Sequence, residues 1–401
     1  MNHKKKRVVI TGVGAVSPVG KNANELWHNL LKGKSGIRNL APAPGIDLSV
    51  TTGGQVFGDL YSTDRDDIQV SPTGQYHPEK RHIAIGESAI QEALQQSNLD
   101  PADSGFIWST GLDMFNLIED KYVIYRSTDI FDRLASSFGG PAMMVSAACA
   151  SSTQSVGEAY HKVSSGLLER CVAGGSSAIL SPFYLLGFSA IRAIAEDMSG
   201  EKPEESCRPF DRTRRGFALS DGAGALVLES YESATKRSAK ILATVTGYGT
   251  SQDAYDFHRP PAGGDGAVLC MQRALAGSGI SANDIQCINA HATGTRAGDI
   301  AEARAIQKVF VDKGNDVVVH AIKGSIGHTM SASGSLELVT SVFSCLEQMI
   351  PHTVNLTEPD TDCKLNHVMD SPIKKDIKNI LSTSFGMGGQ NAGVVISRLI
   401  N

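Results

Sequence analysis

The sequence holds no CxxC pair, and its seven cysteines are an odd number scattered from Cys149 to Cys363. That excludes a zinc ribbon and a disulfide framework. Reduced thiols in a cytoplasmic protein fit best. No segment reaches the roughly 18 unbroken apolar residues that a membrane helix needs. The apolar run behind Lys4-Lys5-Lys6-Arg7 is cut by Gly12, Gly14, Pro18 and Gly20, too soon for a signal-peptide core. There is no excess of positive charge either: the net charge of −5 argues against nucleic acid as a general partner. No GxSxG elbow is present, which disfavours a serine hydrolase. No metal site or nucleotide site is expected. The run Gly12-Val13-Gly14-Ala15-Val16-Ser17-Pro18 places its third glycine wrongly for a dinucleotide fingerprint, and Pro18 falls where that motif needs helix interior.

What is present is 401 residues of ordinary globular composition, 41% hydrophobic and 20% charged, enough for two domains or one large α/β unit. Apolar β-branched stretches read as strands at 7–11, 106–110, 170–173, 225–229, 241–249, 285–290, 316–322, 379–383 and 393–398. Helical spacing is found at 22–31, 79–97, 153–163, 266–278, 299–310 and 334–349. Residues 38–78 read as irregular connection with one short helix, and 112–138 fit neither pattern. Strands that are apolar on both faces and alternate with helices predict a sheet covered on each side. The stretches before and after about residue 235 read alike, so a duplicated architecture is open, although no sequence repeat is evident.

One short stretch organises the chain. Pro141-Ala142-Met143-Met144 reads as a buried strand, and a helix begins near Thr153. Between them lies Val145-Ser146-Ala147-Ala148-Cys149-Ala150-Ser151-Ser152. A cysteine there sits at the positive end of a helix dipole, which favours thiolate. Taken alone, a packed core thiol is the commoner outcome. Three further stretches carry polar groups at strand ends, where α/β sites gather. They are Asn289-Ala290-His291 with Thr293 and Thr295, Lys323-Gly324-Ser325-Ile326-Gly327-His328 with Glu337 beyond, and Ser384-Phe385-Gly386-Met387-Gly388-Gly389-Gln390-Asn391. A lone histidine is usually structural, but two that each follow a strand beside glycine or small residues are harder to dismiss.

With these motifs in order, and with Thr11-Gly12 to Gly20 and Arg208-Pro209-Phe210-Asp211 added, nearly the whole chain resembles a β-ketoacyl-acyl-carrier-protein synthase. The resemblance is to the elongating type with one cysteine and two histidines. It implies an α/β, thiolase-like, five-layer αβαβα fold built from two similar halves, here 1–235 and 236–401. It implies a decarboxylative Claisen condensation in fatty acid or polyketide-like synthesis. Cys149 would accept an acyl chain from a carrier-protein thioester. His291 and His328 would stabilise the enolate formed as malonyl loses carbon dioxide, donating from neutral imidazole. Lys323 would orient them, and Glu337 would hold the lysine. The N–H groups of Cys149 and Phe385 would form the oxyanion hole. Thr293 and Thr295 would bind the phosphopantetheine arm, and Phe385 and Met387 would line the acyl entrance. Arg208, Arg212, Arg214 and Arg215 would dock the acidic carrier. The enzyme itself would hold no cofactor, because the arm arrives on the carrier.

The resemblance further implies a dimer, either with itself or with a chain-length-factor-like subunit. Several positions depart from the family pattern. Ala292 and Asp221 stand where glycine and glutamate are usual, Met387 replaces a common aromatic, and the run 329–334 is less glycine-rich. The segment 112–148, which in the family helps line the acyl pocket, is short. A thiolase would carry a second cysteine near the C-terminal glycine loop, and none follows Cys363. A non-catalytic chain-length partner typically lacks the nucleophile, whereas Cys149 is retained.

Overall fold

The computed structural model describes residues 5–40, 48–56, 78–118, 121–310 and 317–399. Eleven strands form one mixed sheet: β1 Val8–Val16, β2 Gly105–Ser109, β3 Ala142–Met144, β4 Arg170–Ser177, β5 Gly222–Ser230, β6 Ala243–Gln252, β7 Cys287–Asn289, β8 Val318–His320, β9 Asn366–His367, β10 Asn379–Phe385 and β11 Gln390–Ser397. Their spatial order is β9-β8-β7-β10-β11-β6-β1-β5-β4-β2-β3. Omitting β9, each half places its strands third, second, fourth, fifth, first. Each half also pairs them alike: first with fifth and fifth with fourth antiparallel, then fourth with second and second with third parallel. The halves join at β1 and β6, where Val9 lies opposite Thr244. The duplication is therefore legible in topology where no sequence repeat is evident.

Five helices complete the layers. Helix α1 (Pro78–Ser97) covers β1, β4 and β5 from outside, and α3 (Asp265–Ser278), backed by α4 (Arg296–Val309), covers β6 and β11. Between the halves lie α2 (Ser151–Ser164) and α5 (Ser333–Glu347), packed on each other and on strands of both halves. This sandwich explains why α5 is buried all round from Ser333 to Cys345.

Some expectations change. The first strand does not stop at Thr11 but runs on through the glycines to Val16. Gly12 and Gly14 are there for close approach: a Cβ would come within 2.1 Å of the Ala93 carbonyl and 2.0 Å of the Ala89 carbonyl of α1. Strand β3 is not buried. It lies at the sheet edge, with Ala142 exposed and Met143 and Met144 half-buried. The unassigned stretch 112–138 forms a hairpin, Met114–Ile118 with Lys121–Tyr125, and the helix Ser127–Ala135. Helices at Pro182–Ala190 and Tyr231–Lys236 had no signal strong enough to predict them. Residues 41–47 and 57–77, where a short helix was expected, lie outside the described residues. No helix among the described residues is long and apolar enough to cross a membrane.

Candidate active site

The third strand of each half leads into a central helix through the same elbow. Ala148 takes a φ of +48°, a short 3-10 turn spans Ala148–Ala150, and α2 starts at Ser151. In the other half Met330 takes a φ of +48°, the turn spans Met330–Ala332, and α5 starts at Ser333. A left-handed non-glycine residue is strained, and its repetition marks a built feature. The first elbow presents Cys149. The second follows directly on His328, whose backbone is pinned by His328 N–H to the Ala218 carbonyl at 2.7 Å and Ser220 N–H to the His328 carbonyl at 3.0 Å.

These elbows bring the dispersed residues together. His328 Nε2 lies 3.1 Å from Cys149 Sγ. The His291 and His328 rings stand edge to face, 5.4 Å apart. Lys323 Nζ donates to the His291 carbonyl at 2.5 Å, lies 3.3 Å from His291 Nδ1 and forms an ion pair with Glu337. Glu337 is fully buried on α5, not on a solvent face, and accepts from Lys323 as expected. Burial and the nearby lysine push both imidazoles well below their ordinary range. Both rings are therefore neutral, as donation from imidazole requires.

One expectation changes. Cys149 was expected to favour thiolate, yet burial pushes its thiol up to about 11, against the pull of Lys323. Desolvation outweighs the helix dipole here. The backbone amides that favour a negative sulfur belong to Met387 and Cys149. The Phe385 ring stands edge to face with His291, 5.9 Å away. Gly386 permits the approach of this loop, since a Cβ there would lie 2.7 Å from the Ala147 carbonyl.

A cavity of about 400 Å³ reaches Cys149, His291 and His328. Thr293, Thr295 and Met387 also line it. The two threonine hydroxyls lie 3.0 Å apart. The arginine loop is not a uniform docking face. Arg214 is buried, paired with Asp299 and with Asp360 at 2.7 Å, and it bonds the Thr295 and Arg296 carbonyls. Arg208 and Arg215 share Glu201. Only Arg212 of the four is well exposed, with Glu358 beside it.

Sequence reading missed Glu302 and Asp299. Glu302 on α4 accepts from His291 N–H at 2.9 Å, Ala292 N–H at 2.7 Å and the Thr383 hydroxyl at 2.9 Å, which fixes the His291 turn. Ala292 has a φ of +21°, which accounts for the glycine usual there. Asp299 accepts from Phe210 N–H at 2.8 Å and Gly294 N–H at 3.1 Å, tying the arginine loop to the threonine loop. A helix carrying acidic residues gives no local sign that they cap a distant turn. Asp221, another of the departures, is buried against Arg81.

Burial pushes Glu302 and Glu337 up to about 7 and Asp299 up to about 6. A carboxyl raised above its unfolded value contributes most to stability below about pH 4.5, and that contribution falls as pH rises through 7. Stability is therefore expected to decline between pH 5 and 8. In Glu302→Gln the decline should be shallower in urea titrations at those two pH values. An equal decline would remove Glu302 as a contributor.

Sequence models of the β-ketoacyl synthase N-terminal domain match residues 5–114 and 133–234, and those of its C-terminal domain match 242–357. The N-terminal match breaks across the hairpin and helix of the 112–138 stretch. The chain is 32% identical to 3-oxoacyl-[acyl-carrier-protein] synthase 2 of Vibrio cholerae, covering 98% of this chain and 100% of that one. It is also 32% identical to the synthase of the same name from Staphylococcus aureus strain COL, covering 98% of each. Among solved structures it is similar to a type II polyketide ketosynthase bound to the hexaketide in complex with its acyl-carrier protein, with 26% identity, a TM-score of 0.86, and 99% and 100% coverage. A second is the ishigamide ketosynthase/chain length factor, with 27% identity, a TM-score of 0.82, and 99% and 100% coverage.

Proposed function

Because the chain belongs to the β-ketoacyl synthase family, we propose that its residues divide the condensation as follows. Cys149, in the half formed by residues 1–235, takes the acyl group from a carrier-protein thioester. His291 and His328, in residues 236–401, hold the malonyl thioester carbonyl as carbon dioxide leaves. The carbanion then attacks the acyl carbonyl on Cys149, the developing oxyanion meets the Met387 and Cys149 amides, and its collapse breaks the C–S bond, freeing the Cys149 sulfur and leaving a β-ketoacyl thioester on the carrier. Lys323 orients His291 and is itself held by Glu337. The observation that carries this reading is the convergence of Cys149 and two neutral imidazoles at one cavity, with His328 Nε2 3.1 Å from the sulfur.

Thr293 and Thr295 lie along the path that a phosphopantetheine arm would take from the surface. The arm is a substrate handle, and no cofactor on the enzyme is proposed. A cytoplasmic location suits seven buried free thiols. The open edge of β3 supports pairing with a second subunit, a copy of this chain or a chain-length-factor-like partner. Retention of the nucleophile and of both histidines puts this chain on the catalytic side of either dimer.

The test is intact-mass spectrometry after incubation with a panel of acyl carrier proteins, then with malonyl carrier. Acylation followed by transfer to a β-ketoacyl product is expected. No adduct with any primer would overturn the reading for the chain alone.

The burial pattern favours a different set of arginines for carrier docking. Arg192, Arg259 and Arg296 line the cavity and are exposed, as are Asp256 and His258, while Asp253 is half-buried beside them. Charge reversal at Arg259 and Arg296 is expected to raise KM for carrier-bound substrate at least about threefold while sparing small thioesters, since rim charges act on encounter. An Arg208 reversal should do less, because Glu201 already pairs with it. Equal KM values for wild type and the Arg259 and Arg296 variants would refute the reassignment.

A further inference from the structure

Beside the catalytic histidine lies a pair of hydroxyls that the proposed reaction does not use. Ser333 Oγ is 2.9 Å from His328 Nδ1, and Thr329 Oγ1 is 3.2 Å from Ser333 Oγ. With His328 Nε2 facing Cys149 Sγ at 3.1 Å, the four side chains form one continuous chain: Thr329, Ser333, His328, Cys149. Thr329, Ser333 and His328 are buried to 1% exposure or less. Ser333 is the first residue of α5, yet its hydroxyl makes no helix-capping bond. Its two contacts are the imidazole and the threonine.

If the ring nitrogen and Thr329 both donated to Ser333, its own buried hydrogen would have no acceptor among the described residues, which leaves two arrangements of the protons in this chain. In one, Thr329 donates to Ser333, Ser333 donates to Nδ1, and the ring proton sits on Nε2. Every hydrogen then has an acceptor, with the sulfur accepting the last. In the other, Nδ1–H donates to Ser333 and Ser333 donates to Thr329. The buried Thr329 hydroxyl would then need an acceptor, and among the described residues its only hydrogen-bond contact is Ser333. A buried donor left unpaired costs about 1–3 kcal/mol, more than an acceptor with a spare lone pair. We infer that Ser333 is a positioning residue that donates to His328 Nδ1, with Thr329 behind it, and so fixes His328 as the Nε2–H tautomer.

The inference rests on the proposed role of His328 and supplies what that role needs. An Nε2–H aimed at the cavity is already a donor when a malonyl thioester carbonyl arrives there, so no tautomer change precedes decarboxylation. It also orients the ring, because the Nδ1 bond and the Phe217 ring, edge to face at 4.9 Å, restrain it from two sides. The same logic holds for metal-ligating histidines, where the partner of one nitrogen selects the state of the other.

Two measurements test this. Nitrogen-15 histidine labelling of the whole chain, with His328→Asn used to assign the resonance, reads the tautomer of the wild-type enzyme. An Nε2–H pattern is expected, and an Nδ1–H pattern would overturn the inference even if Ser333→Ala does not fold. Ser333→Ala is then expected to slow malonyl-carrier decarboxylation about five- to tenfold, the worth of roughly one hydrogen bond. Cys149 acylation should change less than about twofold, and the His328 resonance should show mixed tautomers. Ser333→Ala with wild-type decarboxylation and an unchanged His328 pattern would likewise sink it. Failure of the wild-type chain to decarboxylate malonyl carrier would count against the proposed reaction, while the nitrogen-15 pattern would still decide the role of Ser333.

Discussion

Cys149→Ala is expected to abolish acyl loading and to lower condensation by a factor on the order of 10³ or more, the scale on which loss of a nucleophile is felt. Among the described residues it is the only thiol that lines the cavity, and the Met387 and Cys149 amides favour a negative charge on its sulfur. The change removes one buried atom and leaves the Ala148 elbow intact, so the fold should persist with a loss of about 1 kcal/mol. Malonyl decarboxylation should continue in this variant, because His291, Lys323 and His328 are untouched. An acyl adduct that survives the substitution would assign the nucleophile elsewhere.

Lys323→Met is expected to cost about 3–5 kcal/mol of stability, because it strands the Glu337 carboxylate in a fully buried site. Part of that cost is relieved at low pH, where Glu337 takes up a proton; its carboxyl already lies near 7 with the lysine present. Decarboxylation should also fall about 10²–10³-fold, since the donor that fixes the His291 turn is lost. The double change Lys323→Met with Glu337→Leu separates these effects. Replacing a buried ion pair by apolar groups is often neutral, so stability should return in urea titrations. Activity should not return. Recovery of both would make the pair purely structural, and recovery of neither would point to damage beyond the pair.

Much of the site was legible because its signals are local. Cys149 stands among small residues before a helix, and His291, Lys323 and His328 follow short apolar strands beside glycine or alanine. These are the ends of strands, where backbone geometry repeats and residue choice is narrow. The ordering of six such motifs identified the family, and the sheet then displayed the two halves that sequence comparison within the chain does not reveal. Similar backbones tolerate different side chains, so topology outlasts sequence.

Other assignments had no local signature. Four arginines within eight residues look alike in sequence. Burial of Arg214 is set by Asp299 and Asp360, which lie 85 and 146 positions further along the chain. Glu302 sits in a helix like any acidic residue until α4 places its carboxylate beneath the His291 turn. Phe385 and Met387 are two residues apart, and only the path of the loop shows whose amide faces the sulfur.

By itself, then, the sequence singled out Cys149, His291, Lys323 and His328, which the fold brings together, and the layered α/β class that holds them. Those properties follow from side-chain type, strand and helix periodicity, and short motifs at strand ends. Tertiary structure alone decided which cations are spent inside, which amides face the Cys149 sulfur, and that burial overrides the helix dipole there. Each of these depends on desolvation and on partners brought close from far along the chain, and neither is encoded within a turn or two of the residue concerned.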